Sequence, residues 1–83
     1  MNFNKKIKII PNPANKSCTV KYDVKNGDQL NLIDVKGQVV KTINIINSND
    51  EVNLSLSNLN QGLYFVQINR KNGKSLTSRF VVE

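Results

Sequence analysis

The fold is decided by one stretch, Leu59-Asn60-Gln61-Gly62-Leu63-Tyr64-Phe65-Val66-Gln67-Ile68. Gly62 supplies a backbone position that accepts a positive φ without a Cβ clash, so we predict a turn there. The residues after it are mostly branched or aromatic, the types that suit a pleated, half-buried surface. Alternation places every second one on the same side of a strand: Tyr64, Val66 and Ile68. The other side is also apolar at its start, at Leu63 and Phe65, so we predict a strand at 63–69 that is central at one end.

Six further segments have strand patterns, and no long segment has the 3.6-residue period of a helix. They are residues 5–10, 17–24, 29–35, 38–46, 51–56 and 75–82. Short strands at a spacing of about 8–12 residues are typical of an antiparallel sandwich. We therefore predict an all-β class, a small antiparallel, Ig-like β-sandwich of about seven strands. The chain is predicted to be a single domain over 1–83, with residues 1–4 as a linker or a remnant of a longer protein.

The connections carry their own signals. The prolines of Pro11-Asn12-Pro13 lack amide donors, so this tripeptide predicts an extended kink that moves the chain from one sheet to another. Asn26-Gly27 is a strong hairpin signal, and Lys36-Gly37 predicts a second tight turn. The apolar phase slips between Val40 and Ile43, which indicates a bulge. Ser57-Asn58-Leu59 predicts a short 3₁₀ turn with Leu59 against the core.

The chain is basic, with a formal net charge of +6 and a pI near 9.7. This charge is compatible with an anionic partner, but lysines on exposed strands also prevent edge-to-edge aggregation. We expect no nucleic acid, because its bases require aromatic platforms and the aromatic residues here lie in apolar patterns. No apolar run approaches the roughly 18 residues of a membrane helix, so direct membrane insertion is not expected. The start of the chain also lacks a signal-peptide core of about 7–15 apolar residues.

The sequence predicts no catalytic, cofactor-binding or metal site. There is no histidine, and the single cysteine, Cys18, is interpreted as a small buried hydrophobe. A carboxylate pair of Asp23 and Asp34 is conceivable if their strands form a hairpin, but turn capping is favoured. Asp34 precedes a turn and is expected to accept backbone amide bonds across it. The other acids, Asp28 among them, are assigned to turns and solvated faces.

Four segments together resemble a known family. They are Pro11-Asn12-Pro13, Leu32-Ile33-Asp34-Val35-Lys36-Gly37-Gln38-Val39-Val40, the stretch from Leu59 to Ile68, and Ser78-Arg79-Phe80-Val81-Val82-Glu83. In this order they are similar to the type A C-terminal sorting domain of the type IX (Por) secretion system, over about residues 9–83. The structural motif residues implied are Pro11, Asn12, Pro13, Asp34, Gly37, Gly62 and Tyr64. Glu83 departs from the basic terminal residue of many members and leaves Arg79 as the matching cation.

The resemblance implies an address tag on a larger secreted protein of Bacteroidota-type bacteria. The cargo would enter the periplasm through an ordinary signal peptide and end secreted or at the cell surface. The implied partners are the outer-membrane translocon with its shuttle proteins and a sortase-like cysteine peptidase that removes the tag and attaches the cargo to lipopolysaccharide. In this role the domain is a substrate and not an enzyme.

The expected recognition residues are Arg79, Phe80, Val81 and Val82, read by strand addition at the last strand. The alternative is an accessory Ig-like or carbohydrate-binding module of a secreted enzyme, which would present two or more exposed aromatic rings on one sheet. A third interpretation is a structural spacer. Edge strands also leave weak self-association open.

Overall fold

The structure, a computed structural model, describes residues 6–83 and consists of two facing antiparallel sheets. The strands are β1 (Lys8–Ile10), β2 (Ser17–Val24), β3 (Gln29–Asp34), β4 (Val39–Asn44), β5 (Asn49–Ser55), β6 (Gly62–Asn69) and β7 (Ser75–Val82). One sheet has the order β1-β2-β5 and the other β4-β3-β6-β7. The predicted all-β sandwich of seven strands is confirmed. No helix long and apolar enough to cross a membrane occurs in residues 6–83.

Strand β6 is the organising strand, as predicted. It pairs with β3 on one side and with β7 along its full length on the other, from Gly62 opposite Val82 to Asn69 opposite Ser75. Its alternation holds in space, because Tyr64, Val66 and Ile68 are buried while the residues between them are half exposed. Burial of these branched and aromatic side chains is the main stabilising contribution of such a small domain.

The core is filled from both sheets by the inward residues of each strand. Its largest fully buried side chains are Phe80, Leu30, Leu32, Leu54, Leu56, Ile68, Val20, Val24 and Val66. Leu59, in the predicted turn after β5, packs against this core while remaining partly exposed. Two small inward residues, Ala14 and Cys18, complete the packing. The aliphatic composition of the sequence is therefore what fills the space between the sheets.

The Pro11-Asn12-Pro13 kink takes the chain to the other sheet, as predicted, but only as far as one bridge, because β2 returns to the sheet that contains β1. Before the kink, β1 pairs with β2 in the three-stranded sheet. After it, Ala14 forms a parallel bridge with Val82 in the four-stranded sheet. Both peptide bonds that precede the prolines are cis.

The predicted hairpin at Asn26-Gly27 is wrong. Strands β2 and β3 lie in different sheets, and Val24 and Leu30 point into the core from opposite sides. Asn-Gly therefore closes a connection between sheets, where the N–H of Gly27 donates to the carbonyl of Ile45 (2.8 Å). Asp23 and Asp34 consequently share no hairpin. They lie near opposite ends of the sandwich, because Asp34 is at the far end of β3, and the conceivable carboxylate pair is excluded.

Some strands begin or end at other residues than predicted, because pairing with a neighbouring strand, and not the sequence pattern, determines their ends. β5 begins at Asn49, two residues before the predicted 51, because Asn49 pairs with Val24. β4 ends at Asn44, and the register shift between β3 and β4 leaves Val40 unpaired, at the edge of the interval where we predicted a bulge. The single domain over 1–83 stays a prediction. Residues 1–4, and the first residue of the predicted strand 5–10, lie outside the described residues.

Candidate recognition surface

The last strand turns its four predicted recognition residues alternately inward and outward. Phe80 and Val82 are only 1% and 3% exposed, while Val81 is 40% exposed and Arg79 is exposed as well. Phe80 lies against the ring of Tyr64, with 6.2 Å between the ring centroids. Only Arg79 and Val81 therefore present side chains to a partner, whereas Phe80 and Val82 fix the strand to the core.

Arg79 borders an apolar patch on the outer face of the four-stranded sheet, and Val81 belongs to that patch. Val81 lies opposite Leu63, Arg79 opposite Phe65, and Phe65 opposite Ile33. The patch, which we call the outer apolar patch, consists of Ile33, Val39, Leu63, Phe65 and Val81. Directly opposed side chains on one face of a sheet touch, so these residues form one continuous surface.

The other half of the same face is polar. Asn31 is almost fully buried there, although it lies on the outer face. Its carboxamide oxygen accepts a hydrogen bond from the Thr42 hydroxyl (2.8 Å), and its NH₂ group donates to Gln29 (3.3 Å) and Gln67 (3.5 Å). These polar side chains already form hydrogen bonds with one another, so this half of the face has fewer free donors and acceptors for a partner protein to bind.

The Pro11–Ala14 segment covers the end of the last strand. The N–H of Ala14 donates to the carbonyl of Val81, and the N–H of Glu83 donates to the carbonyl of Ala14, both at 2.8 Å. The Asn12 side-chain oxygen accepts from the N–H of Val81 at 3.2 Å. This clasp, as we call the contact of Asn12 and Ala14 with Val81 and Glu83, satisfies backbone groups that a partner strand would otherwise use.

The remaining motif residues shape the turns beside the outer apolar patch. Oδ1 of Asp34 accepts from the N–H groups of Lys36 and Gln38, both at 2.9 Å, which is the Asx-type arrangement expected from the sequence. Gly37 has a positive φ of 86° in the same turn. Gly62 has a φ of 146° where β6 begins. The hydroxyl of Tyr64 donates to the carbonyl of Asn60 (2.8 Å) and holds the approach to that strand.

At the opposite end of the sandwich lies a charged cluster that the sequence did not reveal. Asp28 is 3% exposed and forms an ion pair with Arg70, with 2.8 Å between Oδ2 and Nη1. The guanidinium carbon of Arg70 lies 4.9 Å from the centre of the Tyr22 ring. Burial opposes the charge of Arg70, but hydrogen bonding with Tyr22 and the negative charge of Asp28 outweigh it and raise its pKa. Asp28 lies in the predicted turn, where it accepts a hydrogen bond from the N–H of Lys25 (2.8 Å), but it is buried and not solvated, and its ion pair with Arg70, 42 positions away, was not predicted.

Residues 6–83 offer few groups for metal binding, nucleophilic catalysis or glycan binding. No group of three or more metal-ligating side chains occurs among them. Cys18 is a free, buried cysteine, and burial raises the pKa of its thiol, which disfavours the reactive thiolate. Tyr64 and Phe80 are buried, while Tyr22 and Phe65 are half-buried on different sheets. The described aromatic residues therefore do not form the exposed platform that a glycan-binding module would need.

Comparison with known proteins agrees with these features. The family described as "Secretion system C-terminal sorting domain" matches residues 8–83. The fold is similar to a part of PorZ, a surface component of the type IX secretion system of Porphyromonas gingivalis, with a TM-score of 0.76 and 20% sequence identity. The similarity covers 93% of this chain but only 11% of the PorZ chain. No curated protein sequence matches the chain.

Proposed function

Since this chain belongs to the family of secretion system C-terminal sorting domains, we propose a mechanism by which it is read. The domain is a sorting signal of the type IX secretion system, which directs a larger cargo protein for secretion or to the cell surface. We infer that the tag is recognised while folded, through Arg79 and Val81 together with the outer apolar patch.

The observation that carries this proposal is the alternation along β7. Arg79 and Val81 face solvent beside half-exposed Leu63 and Phe65, whereas Phe80 and Val82 are buried. A charged side chain at the rim of an apolar surface suits a protein partner, because the apolar centre supplies affinity and the charge supplies orientation. Phe80 and Val82 take part indirectly, since they hold the readable residues in position.

Membership of the family supports a proposal for the partners and the route. We propose that the cargo crosses the periplasm and that the outer-membrane translocon and its shuttle proteins bind the folded domain. A sortase-like cysteine peptidase then removes the domain. The likeness to a segment of PorZ, itself described as a surface component of the system, supports a place among its extracellular steps.

The domain takes part as a substrate and performs no reaction of its own. The family is one of sorting signals and not of catalysts. The thiol of Cys18 is buried, burial raises its pKa, and the chain contains no histidine to act as its base. Any covalent step is therefore assigned to the peptidase.

A reporter fusion tests the sorting function. The full chain is fused to the C-terminus of a secreted reporter with its own signal peptide, in a host with the type IX machinery and in a mutant without it. We expect reporter in the medium or on the surface only where the machinery is present. Equal release from both strains would contradict the sorting function.

Point variants test the recognition residues better than truncation does. Removing residues 79–83 would take Phe80 and Val82 out of the core and unfold the tag, so failure to secrete would be uninformative. We expect the double variant Arg79→Ser with Val81→Ser to remain folded and to lower secretion. The matched control is Lys21→Ser with Ile10→Ser, a cation and an apolar residue that is 42% exposed on the other sheet. Equal secretion of both double variants would overturn the assignment of the surface.

A further inference from the structure

The four edge strands of the sandwich are not equally protected against pairing with another chain. β1 has three residues and runs into Pro11, and β4 carries a bulge at Val40. β5 contains two adjacent acidic residues, Asp50 and Glu51, and at its end Lys41 Nζ donates to the carbonyl of Ser55 (3.0 Å). β7 has eight residues and pairs with β6 without a register shift, and it contains no proline and no lysine. Proteins usually protect long, regular edge strands with prolines, lysines or bulges, so the unprotected edge of β7 requires an explanation.

In the part of the chain that the structure describes, no backbone group forms a hydrogen bond with the outer edge of β7 along its first part. In an antiparallel pair, every second residue directs both backbone groups away from its partner strand. Val81 bonds outward to Asn12 and Ala14, so Ser75, Thr77 and Arg79 have the same outward direction. Among residues 6–83, the clasp reaches only Val81 and Glu83. The backbone groups of Ser75, Thr77 and Arg79 thus form an open track for an added strand.

The backbone of Ser75, Thr77 and Arg79 is left open because the segment that pairs with the end of β7 turns away before it reaches them. Residues 12–14 run parallel to the end of β7, but the Pro11-Asn12-Pro13 kink carries the preceding residues to β2. Between β1 and β7 this leaves an open cleft of about 340 Å³, lined by Lys6, Ile7, Leu76, Thr77 and Ser78. An added strand would extend the line of Ala14 and direct alternate side chains into this cleft.

The charge around the track indicates the chemistry of the strand that fits it. Lys6, Lys74 and Arg79 lie beside it, and all are exposed. Residues 6–22 and 52–82 contain no aspartate or glutamate. A second copy of this chain would bring a surface of the same net positive charge against the track, which is unfavourable. An acidic segment would instead meet complementary charge along its length.

We infer that the β7 edge from Ser75 to Arg79 accepts an extended, acidic segment of a partner protein as an added strand. This inference rests on the sorting function and names the chemistry of the partner that reads it. Backbone hydrogen bonds to Ser75, Thr77 and Arg79 supply affinity, and carboxylates opposite Lys6, Lys74 and Arg79 select the segment.

Synthetic peptides test the selectivity. Three end-capped decapeptides are compared on the 83-residue chain: alternating Val-Glu, alternating Val-Lys, and Val-Glu with every valine amide N-methylated. We expect only the first to slow amide hydrogen exchange at Thr77 and Arg79, and its binding to weaken as salt is raised. Equal protection by the Val-Lys peptide or by the N-methylated peptide would overturn the inference. So would dimerisation of the chain through β7 in the absence of peptide.

A proline on the edge tests the site itself. The N–H of Thr77 points outward, so Thr77→Pro removes a donor to the added strand without removing a bond to β6, and proline is tolerated at such positions. We expect binding of the Val-Glu peptide to weaken about tenfold or more, since the ring also blocks the track. The control, Thr77→Val, keeps the N–H and should bind normally. Circular dichroism and the unfolding midpoint establish that both variants fold.

The same two variants separate this inference from the sorting function. In the reporter fusion, secretion with Thr77→Val and loss of secretion with folded Thr77→Pro support the added strand. Full secretion with folded Thr77→Pro overturns the added strand and leaves the sorting function intact. Machinery-independent release of the unaltered fusion overturns the sorting function itself.

Discussion

The two ends of the sandwich are each closed by an aspartate, in different ways. Asp28 is buried and accepts hydrogen bonds from the N–H groups of Lys25 (2.8 Å) and Lys71 (3.2 Å), besides its ion pair with Arg70. Asp34 is partly exposed and accepts only from its own turn, at Lys36 and Gln38. The first carboxylate joins connections that are far apart in sequence, whereas the second closes a single hairpin. We conclude that Asp28 ties the β2–β3 connection to the β6–β7 turn, whereas Asp34 fixes only the β3–β4 turn beside the outer apolar patch.

Removing the Asp28 carboxylate should have the largest effect. Asp28→Ala leaves Arg70 and two backbone N–H groups without their acceptor in a buried place, which costs about 3 kcal/mol. That is a large part of the stability of a small domain. Chemical denaturation followed by circular dichroism measures the loss. Asp28→Asn keeps an acceptor oxygen and should lie between Asp28→Ala and the unaltered chain.

Removing the Asp34 carboxylate should cost less, about 1 kcal/mol, because solvent reaches the N–H groups that lose their acceptor. The same denaturation experiment measures it. Exchange of the Lys36 and Gln38 amides should speed up, while exchange in the β2–β3 connection stays unchanged. If Asp34→Ala destabilised the domain as much as Asp28→Ala, the distinction between the two ends would be lost.

These aspartates also show what the sequence could predict. Local pattern was sufficient for the strands, the kink at Pro11-Asn12-Pro13 and the Asp34 turn, because each depends on neighbours within a few residues. The role of Asp28 was not predictable, because Arg70 is distant in sequence and looks like any cation in a polar turn. Asn26-Gly27 misled the prediction of a hairpin, because that dipeptide indicates a tight turn without indicating which sheet the chain enters next.

The candidate site was predicted only in part, for a related reason. Alternation indicated that Arg79 and Val81 lie on one side of the last strand and Phe80 and Val82 on the other. The charge of Arg79 indicated that its side of the strand is exposed, but no pattern indicated which residues of neighbouring strands lie beside it. The clasp from Asn12 and Ala14 joins residues nearly 70 positions apart, and no local pattern signals such a contact.

We expect the clasp to contribute less to the free energy of unfolding than either aspartate does. Asn12→Ala removes the acceptor of the exposed Val81 N–H, and we expect a loss of about 0.5 kcal/mol. Hydrogen exchange is the sharper measurement, since the Val81 amide should exchange faster while the Glu83 amide keeps its bond to Ala14. Unchanged exchange at Val81 would show that the Asn12 contact is not formed in solution.

The smallest effect is expected on the outer face of the three-stranded sheet. Lys21 and Glu51 lie 3.7 Å apart with side chains 52% and 45% exposed. Such a pair contributes little, so Glu51→Gln should change the free energy of unfolding by less than about 0.5 kcal/mol. Glu51→Gln serves as a reference for the other variants. If it lowered the free energy of unfolding by more than this, the loss of a surface charge alone would account for part of the Asp28→Ala effect.

The parallel bridge between Ala14 and Val82 has a mechanical consequence. A pull applied between the segment before the domain and its last residue would draw the two bridged segments along each other in opposite directions. The bonds from Ala14 to Val81 and Glu83 would then carry the load together and not open one after another as in a zipper. A pull between Ala14 and Glu83 would therefore have to break both bonds at once.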